Sequence, residues 1–242
     1  MCKILIAVCF MVFLPWGIFA QAPDSMLVTR YRPGIMWFYS GLRPSGLVDA
    51  RKYDRFVIDV LHNGWNGDSQ QAFRQHGSSI GWNVQFFFDI PLTARNTIAL
   101  GIGLGYGHTR IRYDQQLQRD DVHATTLLTD YGPGVDKSIF RSNKVFIPVE
   151  LRFRTPGWRH VKLHVGGRIG YNFKTSSNVY VDGDKTRTAG FYDQNRLLLS
   201  AHARLGIRSW GLTASYNFTP YFKNAQSAQL NGFELGLSIS LF

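Results

Sequence analysis

Three things are scarce in this chain, and each scarcity excludes something. Of 242 residues only Cys2 and Cys9 are cysteines, both at the extreme N-terminus. A chain processed behind them carries no thiol, which excludes a disulfide framework, a thiolate nucleophile and a cysteine-ligated metal. Long hydrophobic runs are equally rare: after residues 4–19 no stretch is long and apolar enough to cross a membrane as a helix. Acids are outnumbered, with 16 Asp and Glu against 27 Lys and Arg, for a formal net charge of +11.

What the chain does have is alternation. Its mean hydropathy of -0.13 averages two unlike faces rather than describing a mixed globule. The last stretch reads most clearly: Phe233, Leu235, Leu237, Ile239 and Leu241 share one face, and Glu234, Gly236, Ser238 and Ser240 share the other. A period of two over a membrane-length segment puts one face in lipid and one against polar groups. With no helix to span a bilayer, the remaining solution is a closed barrel, in which every backbone group finds a neighbour. The 24 glycines suit thin lumen positions, and an aromatic content of 14% suits interfacial girdles. Phe242 at the end of the last segment is the expected signal to the barrel-assembly machinery.

At the other end, Lys3 precedes the apolar run 4–19, which closes on Ile18-Phe19-Ala20 before Gln21. A charged n-region, a short apolar core broken by Pro15 and Gly17, and a small residue at the cleavage point predict a signal peptide over 1–20. The expected organisation is then a periplasmic N-terminal segment over 21–53 and a barrel domain over 54–242. Alternating segments fall at 54–66, 79–90, 97–112, 144–154, 160–173, 196–208, 211–221 and 231–242. The fold class is therefore all-β: an eight-stranded antiparallel up-and-down transmembrane barrel. An even strand number puts both mature termini in the periplasm of an outer-membrane protein. Connections 91–96, 155–159 and 209–210 are short and read as periplasmic turns, while 67–78, 113–143, 174–195 and 222–230 read as longer external loops.

Several stretches carry a resemblance. They are Arg32-Pro33-Gly34 with Trp37-Phe38-Tyr39, Arg51-Lys52-Tyr53-Asp54-Arg55, Ser78-Ser79-Ile80-Gly81, Phe88-Asp89-Ile90-Pro91-Leu92 and Lys137-Ser138-Ile139-Phe140. Further along stand Ile147-Pro148-Val149-Glu150-Leu151-Arg152-Phe153-Arg154-Thr155, Gly206-Ile207-Arg208-Ser209-Trp210 and Ser238-Ile239-Ser240-Leu241-Phe242. Together they resemble the PorT-type outer-membrane β-barrels of the Bacteroidota over the whole mature chain. The resemblance implies an eight-stranded barrel and an association with type IX protein secretion; the latter is an analogy of fold.

The inward face needs its own account. An eight-stranded barrel is only wide enough to be filled by side chains. Asp59, Asp89, Glu150 and Glu234 point inward with Arg152, Arg154, Lys162, Arg168, Arg204 and Arg208. Buried ions persist only when paired, so Glu150 and Glu234 are expected to bridge to arginines in a salt-bridge plug rather than a pore. On the third segment Gly101, Gly103, Gly105 and Gly107 all face inward, leaving room for a bulky neighbour such as Arg168 or a tyrosine. Trp158 and Trp210 are expected in the inner aromatic girdle and Trp65 or Trp82 in the outer one.

Chemistry is harder to find. Ser200 with His202, His108 with Asp114, and His62 with Ser79 are the pairs a lipid-modifying barrel would draw on, yet none has the third member of a triad at a recognisable spacing. No catalytic, cofactor-binding or metal-binding residue is assigned, and no cofactor is expected. Asp120, Asp121 and His123 in the longest loop fit ordinary turn chemistry better than a cation site. Much of the positive charge falls on the expected periplasmic side, where Arg30, Arg32, Trp37, Arg51 and Lys52 form a basic and aromatic face. Anionic lipids, including lipopolysaccharide, and a periplasmic or outer-membrane protein are the expected partners, and nucleic acid is not. The resulting expectation is a non-catalytic accessory subunit of secretion or envelope machinery. A lipopolysaccharide- or lipid-modifying enzyme and an adhesin or envelope-stability barrel are the alternatives.

Overall fold

The structure, a computed structural model, describes residues 55–67, 75–93, 97–129, 135–155, 161–181 and 183–241. The expected signal peptide, the segment bearing Arg30, Arg32, Trp37, Arg51 and Lys52, the girdle residue Trp158, and Phe242 lie outside these residues. Eleven strands run in chain order: β1 (Phe56–Gly67), β2 (Ile80–Pro91), β3 (Ile98–Tyr113), β4 (Gln116–Asp120), β5 (Thr125–Thr129), β6 (Val135–Arg154), β7 (Val161–Val181), β8 (Asp184–Ala189), β9 (Leu197–Ile207), β10 (Trp210–Asn217) and β11 (Leu230–Leu241).

Eight of them close a barrel. The order β6-β3-β2-β1-β11-β10-β9-β7 is completed by a β6–β7 pairing, and every pair is antiparallel. Closure removes the free edges that lipid cannot hydrate. Sequence alternation sets which face is which. On β2, Ile80, Trp82, Phe86 and Phe88 are exposed to the outside, while Gly81, Asn83, Gln85 and Phe87 are buried in the lumen. A slip of one residue would exchange the two sets, so the apolar belt pins the register. Pro148, which has no N–H to give, lies opposite Arg168 on β7; on the β3 side the paired register breaks between Ile102↔Val149 and Gly105↔Phe146.

Two connections expected to be loops are partly strand. β6 begins at Val135 and β7 runs on to Val181, making them 20 and 21 residues long, about twice the ~9–11 a tilted strand needs to cross a bilayer. β8 pairs with the far end of β7, and β4 pairs with β5 as a separate hairpin. The alternation of apolar and polar residues stops where the lipid stops, although strand pairing continues. The extension therefore carries no membrane signal: Thr175, Ser176, Ser177 and Asn178 follow one another on β7. The long-loop end thus stands clear of the apolar belt as a β-structured collar.

Candidate functional site

In the lumen, charged side chains from six of the eight barrel strands meet. Period-two alternation delivers them: Asp59 from β1, Asp89 from β2, Lys144, Glu150, Arg152 and Arg154 from β6, Lys162 and Arg168 from β7, Arg204 from β9 and Glu234 from β11.

Nine of these ten join into a single relay of alternating sign. At the short-turn end Arg154 donates to Asp89, whose other oxygen accepts from Arg152 Nη1 at 2.6 Å. Arg152 Nε reaches Glu150 Oε2 at 3.0 Å, and Arg204 Nη1 donates to Glu150 Oε1 at 3.1 Å. Arg204 Nη2 lies 3.3 Å from Asp59 Oδ2, which stands 3.8 Å from Arg168 Nη2. Arg168 Nη1 is 3.6 Å from Glu234 Oε2, and Lys144 Nζ closes the series on Glu234 Oε1. The relay starts and ends on a cation, so each carboxylate sits between bases. Glu150, fully buried, also accepts from His202 Nε2 at 2.7 Å and has His164 Nδ1 at 3.6 Å.

Neutral groups add further hydrogen bonds to the carboxylates. Gln85 donates to Asp59, while Asn83 and Ser215 donate to Glu234 at 3.3 and 2.9 Å. Phe87 and Phe146 brace the cations: the Arg152 guanidinium lies 4.0 Å from the Phe87 ring centre, and Arg168 lies 5.2 Å from that of Phe146.

The glycine stripe of β3 makes room for these side chains, but the occupants differ from expectation. A Cβ at Gly101 would stand 2.5 Å from Arg152 Nε, one at Gly105 would meet the Phe146 ring at 2.5 Å, and one at Gly107 would lie 2.9 Å from Lys144 Cε. Neither Arg168 nor a tyrosine fills the space. Arg208 is also corrected: it sits exposed in the β9–β10 turn with φ 57°, not in the lumen. Lys144 was missed as a member, although it shares parity with Glu150. Phe87, hidden in the run Phe86-Phe87-Phe88, was legible from its alternation with Gln85 and Asp89.

Above the relay the lumen turns apolar. Trp65, Ile111, Tyr113, Leu117, Phe140, Phe191, Leu198, Tyr221, Phe222 and Leu230 form a buried cluster at the long-loop end. Trp65 packs edge-on against Phe140 at 4.7 Å and Tyr113 at 5.4 Å, and Phe140 against Tyr221 at 5.4 Å. Trp65, expected as an alternative for the outer girdle, is therefore inside the barrel at 3% exposure, whereas Trp82 faces outward at 42%.

The candidate reactive pairs are not brought together. His108 Nδ1 bonds Asn143 Oδ1 at 2.6 Å, and Asp114 is held by His76 instead. Ser79 is buried and its hydroxyl donates to the His76 carbonyl at 2.8 Å, while His62 is exposed on the opposite face. His202 is engaged by Glu150. In the β4–β5 hairpin His123 pairs with Asp120 and Arg119 with Asp121; among the described residues no three His, Cys, Asp or Glu side chains converge as a metal site.

Two solved structures of Ail, the attachment invasion locus protein of Yersinia pestis, align with the chain, one of them in complex with the heparin analogue sucrose octasulfate. Each has a TM-score of 0.37 and 12% identity, over 77% of this chain and 96% of Ail. No curated protein matches the sequence. The family described as outer membrane protein beta-barrel domain matches residues 57–239, which begin at the second residue of β1 and end two short of the last of β11. The chain is thus an outer-membrane β-barrel and belongs to the outer membrane protein beta-barrel domain family.

Proposed function

We propose that the protein is a non-catalytic, non-conducting outer-membrane barrel that serves as an accessory or interaction subunit of envelope machinery. The observation that carries this reading is the filled lumen: an ion-pair relay below and an apolar cluster above leave the interior committed to holding the barrel together. Activity then belongs to the surfaces outside the barrel. In this reading residues 1–20 are a signal peptide, both mature termini are periplasmic, and the short turns face the periplasm. The basic and aromatic face around Arg30, Arg32, Trp37, Arg51 and Lys52 is the contact for a protein partner. A PorT-like role beside type IX secretion is the specific form suggested by the motif resemblance.

A second reading, an adhesin or envelope-stability barrel, draws on a different observation. β6 and β7 continue well past the apolar belt and support β8, giving a rigid collar that suits contacts outside the cell.

One experiment separates them. The intact protein and a variant lacking residues 21–50 are purified natively from solubilised outer membranes. A stoichiometric partner that is lost on deletion supports the accessory reading. A folded barrel recovered without a partner in either form removes it and leaves the collar as the working surface.

A further inference from the structure

The outward face of the barrel changes character abruptly at the long-loop end of β2, β3, β6 and β7. An aromatic row comes first: Trp82 stacks near Tyr106 at 5.4 Å, and Tyr106 lies 6.2 Å from Phe173. Such rings mark the level of the lipid headgroups. Immediately beyond, the same face carries Arg110 and Arg112 on β3, Arg141 on β6 and Lys174 on β7.

These cations are neighbours by register. Arg110 sits directly opposite Arg141, and Lys174 opposite Asn143, two residues from Arg141 on the same face. Directly opposed side chains on one face have Cβ atoms roughly 5 Å apart, and like charges there are destabilising. No carboxylate among the described residues pairs with any of the four. The first residue past the end of β3, Asp114, is engaged by His76. The Nε atoms of Arg110 and Arg112 are buried without a hydrogen-bond partner. An arrangement of opposed like charges that costs stability is explained by an anion supplied from outside. Its position one step above the aromatic row selects which anion.

We propose that Arg110, Arg112, Arg141 and Lys174 form a binding site for the phosphate groups of a phosphorylated glycolipid in the outer leaflet. Guanidinium pairs suit phosphate, because planar forks give parallel charge-assisted hydrogen bonds. The acyl chains of such a lipid would lie along Tyr106, Val145, Tyr171 and Phe173, which continue the same face towards the mid-belt. The proposal rests on the functional reading above only in placing the long-loop end at the outer leaflet; binding in detergent tests the site without that placement.

The test uses the full chain in a non-ionic detergent, with diphosphorylated lipid A, its dephosphorylated form and inorganic phosphate as probes. Binding is read by native mass spectrometry and by the shift in thermal unfolding. Diphosphorylated lipid A is expected to bind and to raise the unfolding midpoint, and the dephosphorylated lipid to bind on the order of tenfold more weakly or worse, since each lost charge-assisted bond is worth about that factor. Arg110→Gln with Arg141→Gln should abolish the lipid-dependent shift. In detergent alone this double variant should be at least as stable as the parent, because a repulsive pair has been removed. Lys223→Gln, in the β10–β11 loop, should behave as the parent.

Equal binding of the two lipids overturns the proposal. So does a double variant less stable than the parent in detergent alone, which would make the arginines structural. Displacement of the lipid by millimolar inorganic phosphate overturns the assignment to a lipid. A failed partner pull-down leaves all of these readouts intact, so the two readings fail separately.

Discussion

Glu150 shows what burial demands of a single side chain. Its carboxylate has no solvent and stands between Arg152 and Arg204 with His202 bonded to one oxygen. Glu150→Gln keeps the volume and removes the charge, leaving two guanidiniums facing each other in a low-dielectric interior. Breaking a buried pair from one side costs about 3–5 kcal/mol, so the urea midpoint of the barrel in detergent should fall sharply. Replacing both partners, Glu150→Leu with Arg152→Met, should cost less than the single change; an additive double-mutant cycle would deny the pairing. A residue outside the membrane gives a pH prediction. At the tip of the β4–β5 hairpin, His123 and then the Val122 amide bond the Asp120 carboxylate and hold its pKa below the ordinary aspartate range. A depressed pKa contributes order that is present above the unfolded value and lost as pH falls through the folded one. The Val122 amide resonance should therefore titrate at a midpoint below that of a free aspartate. His123→Ala should move that midpoint up, and no movement would remove the ring as the main cause.

At the scale of one element, β3 is a strand built around its neighbours. Gly101, Gly103, Gly105 and Gly107 line its inner face because Arg152, Phe87, Phe146 and Lys144 occupy the space their side chains would need. Gly105→Ala should destabilise the barrel by about 1–3 kcal/mol through overpacking. Phe146→Leu in the same chain should recover part of that loss, although it lowers stability alone; the sign of the coupling in unfolding measurements is the check. The elements also show where the sequence was readable. All eight barrel strands were legible because lipid on one side enforces strict alternation, as along Ile80 to Phe88 on β2. The inward carboxylates followed from the same parity. The first residues of β6, the last of β7 and all of β8 were not legible, since water on the outer face relaxes the pattern to runs such as Lys185-Thr186-Arg187-Thr188. Nor was the apolar cluster. Trp65 and Leu198 come from strands, but Phe191, Tyr221 and Phe222 come from loops, and no local period announces that a loop folds back over a barrel mouth.

For the whole molecule, the two fillings of the lumen act in series. The relay is built from β1, β2, β6, β7, β9 and β11, whereas the apolar cluster is centred on Trp65, Tyr113, Phe140 and Tyr221. An ion crossing the barrel would have to separate Arg204 from Glu150 and Asp59, then Arg168 and Lys144 from Glu234, before meeting an aromatic layer. Each separation costs several kcal/mol, and the layer meets the ion mostly with ring faces and aliphatic side chains, the Tyr113 hydroxyl being already bonded to Ser177 at 2.8 Å. The purified protein in planar bilayers should therefore give no stepwise conductance. Trp65→Ala removes the centre of the upper filling at a stability cost of about 3–5 kcal/mol, and it should still not conduct, because the relay beneath it is untouched. Conductance in this variant alone would mean that the ion pairs are solvated and that the aromatic layer is the true seal. Conductance in the parent would mean that the barrel is a pore, and the accessory reading would lose the observation it stands on.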